Sequence, residues 1–193
     1  RLGYAWAALG KHTARLQRDW ASHHPTIELE LTRHNSPTAG LAEGLCDVAI
    51  VRRPVDERRF DSVVVGLERR VVAFASDDRQ WARRRQVSMD EIADRTMIDS
   101  RVGTTSGELW PGERAPRFLE ATDVDGWLDA IVAGRGVGTS SEATAHHHPR
   151  HGLTYRSIKD GPRIPVRLVW WRGDRPTGLS DLISRVTQLY AGG

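Results

Sequence analysis

Asp47-Val48-Ala49-Ile50-Val51-Arg52 is the stretch that decides the fold: an unbroken apolar run with a charge at each end. Strands solvated on one face alternate apolar and polar residues, so a continuous run is what a central parallel strand looks like when helices cover both of its faces. Upstream, Ile27, Leu29 and Leu31 alternate with Glu28, Glu30 and Thr32, the period of two of a half-buried strand. Between these two strands, Ser36 before Pro37 reads as a helix N-cap with proline at the first helical position. That helix is expected to run through Leu41 and Leu45 and to end near Gly44. Further back, Leu9, Leu16 and Trp20 share one side of a helix from about Leu9 to His23, stopped by Pro25 and preceded by the short apolar strand Leu2 to Ala5. The order strand, helix, strand, helix, strand predicts a parallel α/β sheet.

Downstream, strands are expected around Ser62 to Val65 and Arg70 to Ala75, followed by a polar connection from Ser76 to Gln86. Ser88 with Glu91 makes a capping box for a short helix. Thr96 to Asp99 reads as a strand, and Gly103 to Pro116 as a loop. Val124, Trp127, Leu128, Ile131 and Val132 fall at helical spacing, with Thr122 as cap and Gly134 as stop. A strand at Val137 to Thr139, a His-rich turn, and strands at Leu153 to Arg156 and Val166 to Trp171 follow. A last helix carries Leu179, Leu182, Ile183, Val186, Leu189 and Tyr190. The βα alternation thus occurs twice, once before about Ala75 and once after it. Two α/β subdomains with a ligand cleft between them are the construction this predicts.

Composition narrows the function. The chain has 193 residues, 28 Lys+Arg against 25 Asp+Glu, a formal net charge of +3 and one cysteine. With 39% hydrophobic and 27% charged residues, disorder, collagen and disulfide scaffolds drop out. No apolar run approaches the roughly 20 residues of a membrane span. Cys46 has no partner for an intrachain disulfide, which fits a cytoplasmic location. Lys11 and Lys159 are the only lysines, so nearly all positive charge is guanidinium, whose fork suits carboxylate or phosphate. The dense run Arg83-Arg84-Arg85 is short and reads as a solvated face rather than a nucleic-acid surface. Arg1-Leu2-Gly3-Tyr4 reads as the middle of a strand, with no initiator Met, basic leader or signal region, so a fragment of a longer protein is expected.

No catalytic set stands out. Gly134-Arg135-Gly136-Val137-Gly138 imitates a dinucleotide fingerprint, but a helix precedes it and a strand follows, the reverse of what that site needs. A helix C-cap leading into a strand explains it. Gly103-Thr104-Thr105-Ser106-Gly107 lacks the lysine of a phosphate-binding loop and supports at most hydroxyl contacts to a ligand. His146, His147, His148 and His151 splay apart and lack a completing acid or cysteine, so no metal is expected. No nucleophile elbow occurs, and Cys46 reads as a buried small hydrophobe. What is left is anion binding at helix N-termini. Trp6-Ala7-Ala8 opens the first helix and Asn35-Ser36 the second, with Arg52 and Arg101, each just after a strand, as counter-charges.

Four stretches then align with one family. Arg1-Leu2-Gly3-Tyr4-Ala5, His24-Pro25 ahead of Ile27-Glu28-Leu29, Gly44-Leu45-Cys46 running into Asp47 to Arg52, and Ala130-Ile131-Val132-Ala133-Gly134 through Gly138 together resemble the effector-binding domain of LysR-type transcriptional regulators. The resemblance implies an α/β fold of two Rossmann-like subdomains, the type 2 periplasmic-binding-protein fold. One subdomain would comprise 1–75 plus 166–193 and the other 76–165, joined by two crossover strands. A winged helix-turn-helix and linker helix would lie upstream of Arg1, so DNA would be met only through that missing domain.

A small effector, anionic or aromatic, would bind at Trp6, Ala7 and Ala8, at Asn35 and Ser36, at Arg52, and at Arg101, Val102 and Asp123. Neither a cofactor, a metal nor a catalytic residue is implied. Homodimers or homotetramers and no membrane contact are. Two departures stand out: Trp6 puts a large ring where the family often has a small polar residue, and Ser140-Ser141 replace an apolar residue and proline. The rival reading is a solute-binding protein of a transport system, which shares the fold. An enzyme on the same fold is a third, for which no residue set speaks.

Overall fold

A computed structural model describes residues 1–105, 107–110 and 115–192; Ser106 and residues 111–114, part of the expected 103–116 loop, lie outside the described residues. In chain order the strands and helices are β1 (Leu2–Tyr4), α1 (Thr13–His23), β2 (Leu31–Arg33), β3 (Val48–Val51), β4 (Phe60–Glu68), β5 (Arg70–Ala75), β6 (Gln86–Val87) and α2 (Met89–Ala93). They continue with β7 (Met97–Asp99), β8 (Phe118–Glu120), α3 (Val124–Val132), β9 (Gly138–Ser141), α4 (Glu142–His147), β10 (Leu153–Ile158), β11 (Ile164–Trp171) and α5 (Leu179–Ala191). Two compact units result: Arg1–Glu68 with Pro165–Gly193, and Arg69–Ile164. The division falls earlier than residue 75, because β5 is hydrogen-bonded on one side to β10 and on the other to β9, both in the second unit.

The first unit is a five-stranded sheet in the order β2-β1-β3-β11-β4. Gly3 of β1 pairs in parallel with Thr32 and with Ala49. The expected parallel sheet therefore forms for three strands and is then broken, since β11 runs antiparallel to β3 with Leu168 opposite Ile50. The apolar run of β3 is now explained side chain by side chain. Val48 and Ile50 join a core with Leu2, Leu16, Trp20 and Leu182, while Ala49 and Val51 join another with Leu41, Phe60 and Val169. Each large side chain so buried contributes about 1.5–3 kcal/mol. Gly3 lacks a side chain because a Cβ there would stand 2.2 Å from the Ala39 carbonyl oxygen.

Three local expectations are corrected here. The helix expected after Ser36 is absent: residues 37–44 form successive turns. Ala39 takes φ 52° and Gly40 φ 90°, left-handed values that no right-handed helix accommodates. Ser36 does accept a backbone N–H, that of Gly40 at 3.0 Å, but it caps a turn. The first helix is also entered differently, through a 3-10 turn at Gly10–His12, so Trp6 to Ala8 do not open it directly. In the alternating segment the strand is confined to β2, with Leu2 N donating to the Glu30 carbonyl just ahead of it at 2.7 Å, though Ile27 and Leu29 pack on the same core as Leu31.

The second unit holds a sheet ordered β6-β10-β5-β9 and a parallel pair β7-β8. The capping box closes as expected, with Ser88 N donating to Glu91 Oε2 at 2.9 Å and Glu91 N to Ser88 Oγ at 3.3 Å. Val124, Trp127, Leu128 and Ile131 bury one face of α3. Its cap is Asp123 rather than Thr122: the Asp123 carboxylate accepts from Gly126 N at 2.8 Å. Gly134, at φ 69°, ends the segment, as the helix C-cap reading requires. Gly138 then opens β9 where a Cβ would strike the Trp127 ring at 2.4 Å. The expected His-rich turn is a short helix, α4, which includes His146 and His147.

Candidate functional site

In the first unit the candidate residues gather around Arg52, the residue after β3. Its Nε donates to Glu68 Oε2 at 2.7 Å and its Nη2 to Glu68 Oε1 at 2.8 Å, a two-pronged pair almost out of solvent. The remaining donors reach back to the loop after β1, Nη1 to the Ala7 carbonyl at 2.8 Å and Nη2 to the Ala8 carbonyl at 2.6 Å. Tyr190 of α5 completes the set, its hydroxyl donating to Glu68 Oε1 at 2.6 Å. Burial pulls the Arg52 guanidinium down and the Glu68 carboxylate more than reverses it, leaving arginine above its ordinary value. Burial, reinforced by the neighbouring carboxylate, drives the Tyr190 phenol well above its own.

So Ala7, Ala8 and Arg52 are brought together, with the loop's carbonyls rather than its N–H groups turned to the arginine. Trp6 beside them is buried. Asn35 is exposed, and Ser36 donates to Glu43 Oε2 at 3.2 Å. Glu68 and Tyr190 are members of this cluster that sequence reasoning missed. The one available signal was an acid at a strand end, directly ahead of two arginines, in Glu68-Arg69-Arg70.

In the second unit Arg101 is 87% exposed and pairs with Glu120 at 3.4 Å. Val102 is half-buried, and Asp123 is held as the α3 cap. The loop carrying Arg101 closes onto β9, where Thr105 Oγ1 meets Thr139 Oγ1 at 2.7 Å. Ser140 Oγ donates to Thr144 at 2.8 Å, so the two serines that replace an apolar residue and proline are buried polar groups. A second buried arginine, Arg70, went unnoticed in the sequence. Its Nη1 donates to the Thr104 carbonyl at 2.9 Å and its Nε to that of Pro162 at 3.4 Å.

Other chemistry recedes. Cys46 is buried, and that burial pushes its thiol up to about 11, away from nucleophilic use. Among the described residues no group of three His, Cys, Asp or Glu side chains converges as a metal site requires, His146 to His148 included. Among the same residues no helix is long and apolar enough to cross a membrane.

Comparison with known proteins agrees with this architecture. The family described as LysR substrate binding domain matches residues 1–190. No curated protein matches. Among solved structures, the effector-binding domain of a BenM variant superposes with a TM-score of 0.79 at 18% identity, covering 100% of this chain and 94% of that one. The BenM effector-binding domain with its effector benzoate gives 0.77 at 18%, covering 100% and 91%. The OxyR regulatory domain from Pseudomonas aeruginosa, as a point mutant, gives 0.75 at 15%, covering 97% and 95%. Full-length CbnR in complex with its target DNA gives 0.75 at 16%, covering 98% of this chain and 70% of that one. These likenesses show the two-subdomain, periplasmic-binding-protein-like fold.

Proposed function

Since the chain belongs to the LysR substrate-binding domain family, we propose that it senses a small-molecule effector and relays its presence to transcription through a DNA-binding domain on the same protein. Binding acts by population shift, favouring one conformation over another without chemical change to the ligand. The observation that carries this reading is the family match across residues 1–190. The domain is accordingly a receptor and not an enzyme, working in the cytoplasm as a homodimer or homotetramer. Family membership speaks against the solute-binding alternative.

The residues we assign to effector binding, by contact or by support, are Trp6, Ala7, Ala8, Asn35, Ser36 and Arg52 of the first unit and Arg101, Val102 and Asp123 of the second. Arg52 serves by fixing the Ala7-Ala8 loop, because its own donors are committed to Glu68 and to that loop. Arg101, the most exposed of these cations, supplies the counter-charge. BenM takes benzoate, and an arginine-rich chain with a largely exposed guanidinium suits the same broad class of small anionic or aromatic molecules.

Thermal shift against small carboxylates, aromatic acids, amino acids and phosphates tests the reading. A ligand at about a hundred times its Kd adds about 2.7 kcal/mol to the native state. For a chain of this size that is a rise of about 5–10 °C. Arg101→Ala is expected to leave the unliganded melting temperature unchanged and to weaken the response. Flat curves for the whole panel would remove the effector-sensing reading.

A further inference from the structure

Buried guanidinium groups are ordinarily matched by a carboxylate, as Arg52 is by Glu68. Arg70, only 6% exposed at the start of β5, is not so matched among the described residues. Burial alone acts on it, lowering it from the ordinary arginine value to about 10. Its hydrogen bonds go to two neutral carbonyls through Nη1 and Nε, which leaves Nη2 without one among the described residues.

Two further donors surround it. Thr104, whose carbonyl takes the Nη1 bond, has a buried hydroxyl with no hydrogen-bond partner among the described residues. Ser141 stands opposite Arg70 in the β5–β9 ladder, which sets the two side chains on one face with Cβ atoms about 4.5–5.5 Å apart. Its hydroxyl is likewise buried and unpartnered. Glu68, two residues before Arg70, is taken by Arg52 and Tyr190, and Glu142, next to Ser141, is exposed and accepts from the Arg69 N–H at 2.9 Å. Gly161 keeps the wall beside the arginine bare, since a Cβ there would meet the Arg70 Cβ at 3.3 Å. A buried cation flanked by two idle hydroxyl donors lacks one thing, an acceptor carrying negative charge. A carboxylate presents two oxygens and about four lone-pair sites to such donors.

We propose that Arg70, Thr104 and Ser141 form an anion subsite that takes the carboxylate of a small organic acid. The proposal rests on the effector-sensing reading and names the ligand class and where its charge is held.

The test uses the 193-residue chain in chloride-free buffer, with acetate, succinate and benzoate each set against its neutral amide, and inorganic phosphate alongside. Melting shifts and calorimetric titration are read for the wild type, Ser141→Ala, Thr104→Val and Arg70→Gln. At least one carboxylate is expected to bind while its amide does not. Ser141→Ala is expected to weaken that carboxylate at least tenfold and to leave the unliganded melting temperature equal or higher, because it removes a hydroxyl that has no partner. Carboxylate binding unchanged in Ser141→Ala and Thr104→Val would overturn the subsite and leave the effector reading standing. Equal binding of carboxylate and amide, or binding of phosphate alone, would overturn the ligand class. Silence of the wild type toward every compound would overturn both. Should Arg70→Gln fail to fold, the two hydroxyl variants still decide the matter.

Discussion

Tyr190 and Arg52 never touch in sequence, yet Glu68 holds both, and the three behave as one buried unit. Removing the phenol hydroxyl in Tyr190→Phe deletes a hydrogen bond to a charged group, a loss of about 1.5–3 kcal/mol. Glu68→Gln leaves a buried guanidinium without its counter-charge and is expected to lose about 3–5 kcal/mol. The double variant should lose less than the sum, because Tyr190 and Glu68 are each other's partner and one bond is counted in both single losses. Urea unfolding of all three variants checks the order. At this scale the sequence was legible only in part. Arg52 stood out because it follows the apolar run, whereas its partners lie 16 and 122 residues from their mates and are joined only by the folded chain. Arg70 was invisible for a related reason, since a run of two arginines reads as surface until β9 and the loop at Thr104 cover one of them.

Elements were legible where a single segment carries its own instruction. The two-sided burial of β3, the periodicity of α3 and the Ser88–Glu91 box are local signals, and each forms as read. Residues 37–44 failed because their opening imitates a cap while Ala39 bends left-handed, a choice set by packing against Gly3 and Cys46. Cap identity at α3 also escaped, since Thr122 and Asp123 are both good caps and only the geometry selects the carboxylate. Here the expected outcome is concrete. Asp123→Ala should cost about 1 kcal/mol and Asp123→Asn almost nothing, as asparagine caps as well as aspartate does. If Asp123 also contacts the effector through its charge, the Asn variant keeps its melting temperature and loses ligand response, which thermal shift separates cleanly.

At the scale of the molecule, the duplicated βα pattern announced two units, and the structure supplies the rule for dividing them: a strand belongs with those it pairs to. The mixed sheet was not foreseen, because nothing local tells β11 that it will lie between β3 and β4. That placement makes the C-terminal segment indispensable to the first unit and dispensable to the second. Truncation after Ile164 is therefore expected to leave the 69–164 unit protected in hydrogen exchange, while the 1–68 segment, stripped of the strand that joins β3 to β4, exchanges freely.

The interleaving also imposes a schedule on synthesis. About a hundred residues are translated between β4 and β11, some 5–20 s at ordinary elongation rates. Throughout that interval the nascent first unit has a gap in its sheet and cores that still lack Leu168, Val169 and Leu182, and by its end every residue of the second unit has been made. The later-made unit finishes first, and the earlier-made one must be kept from aggregating until its missing strand leaves the ribosome.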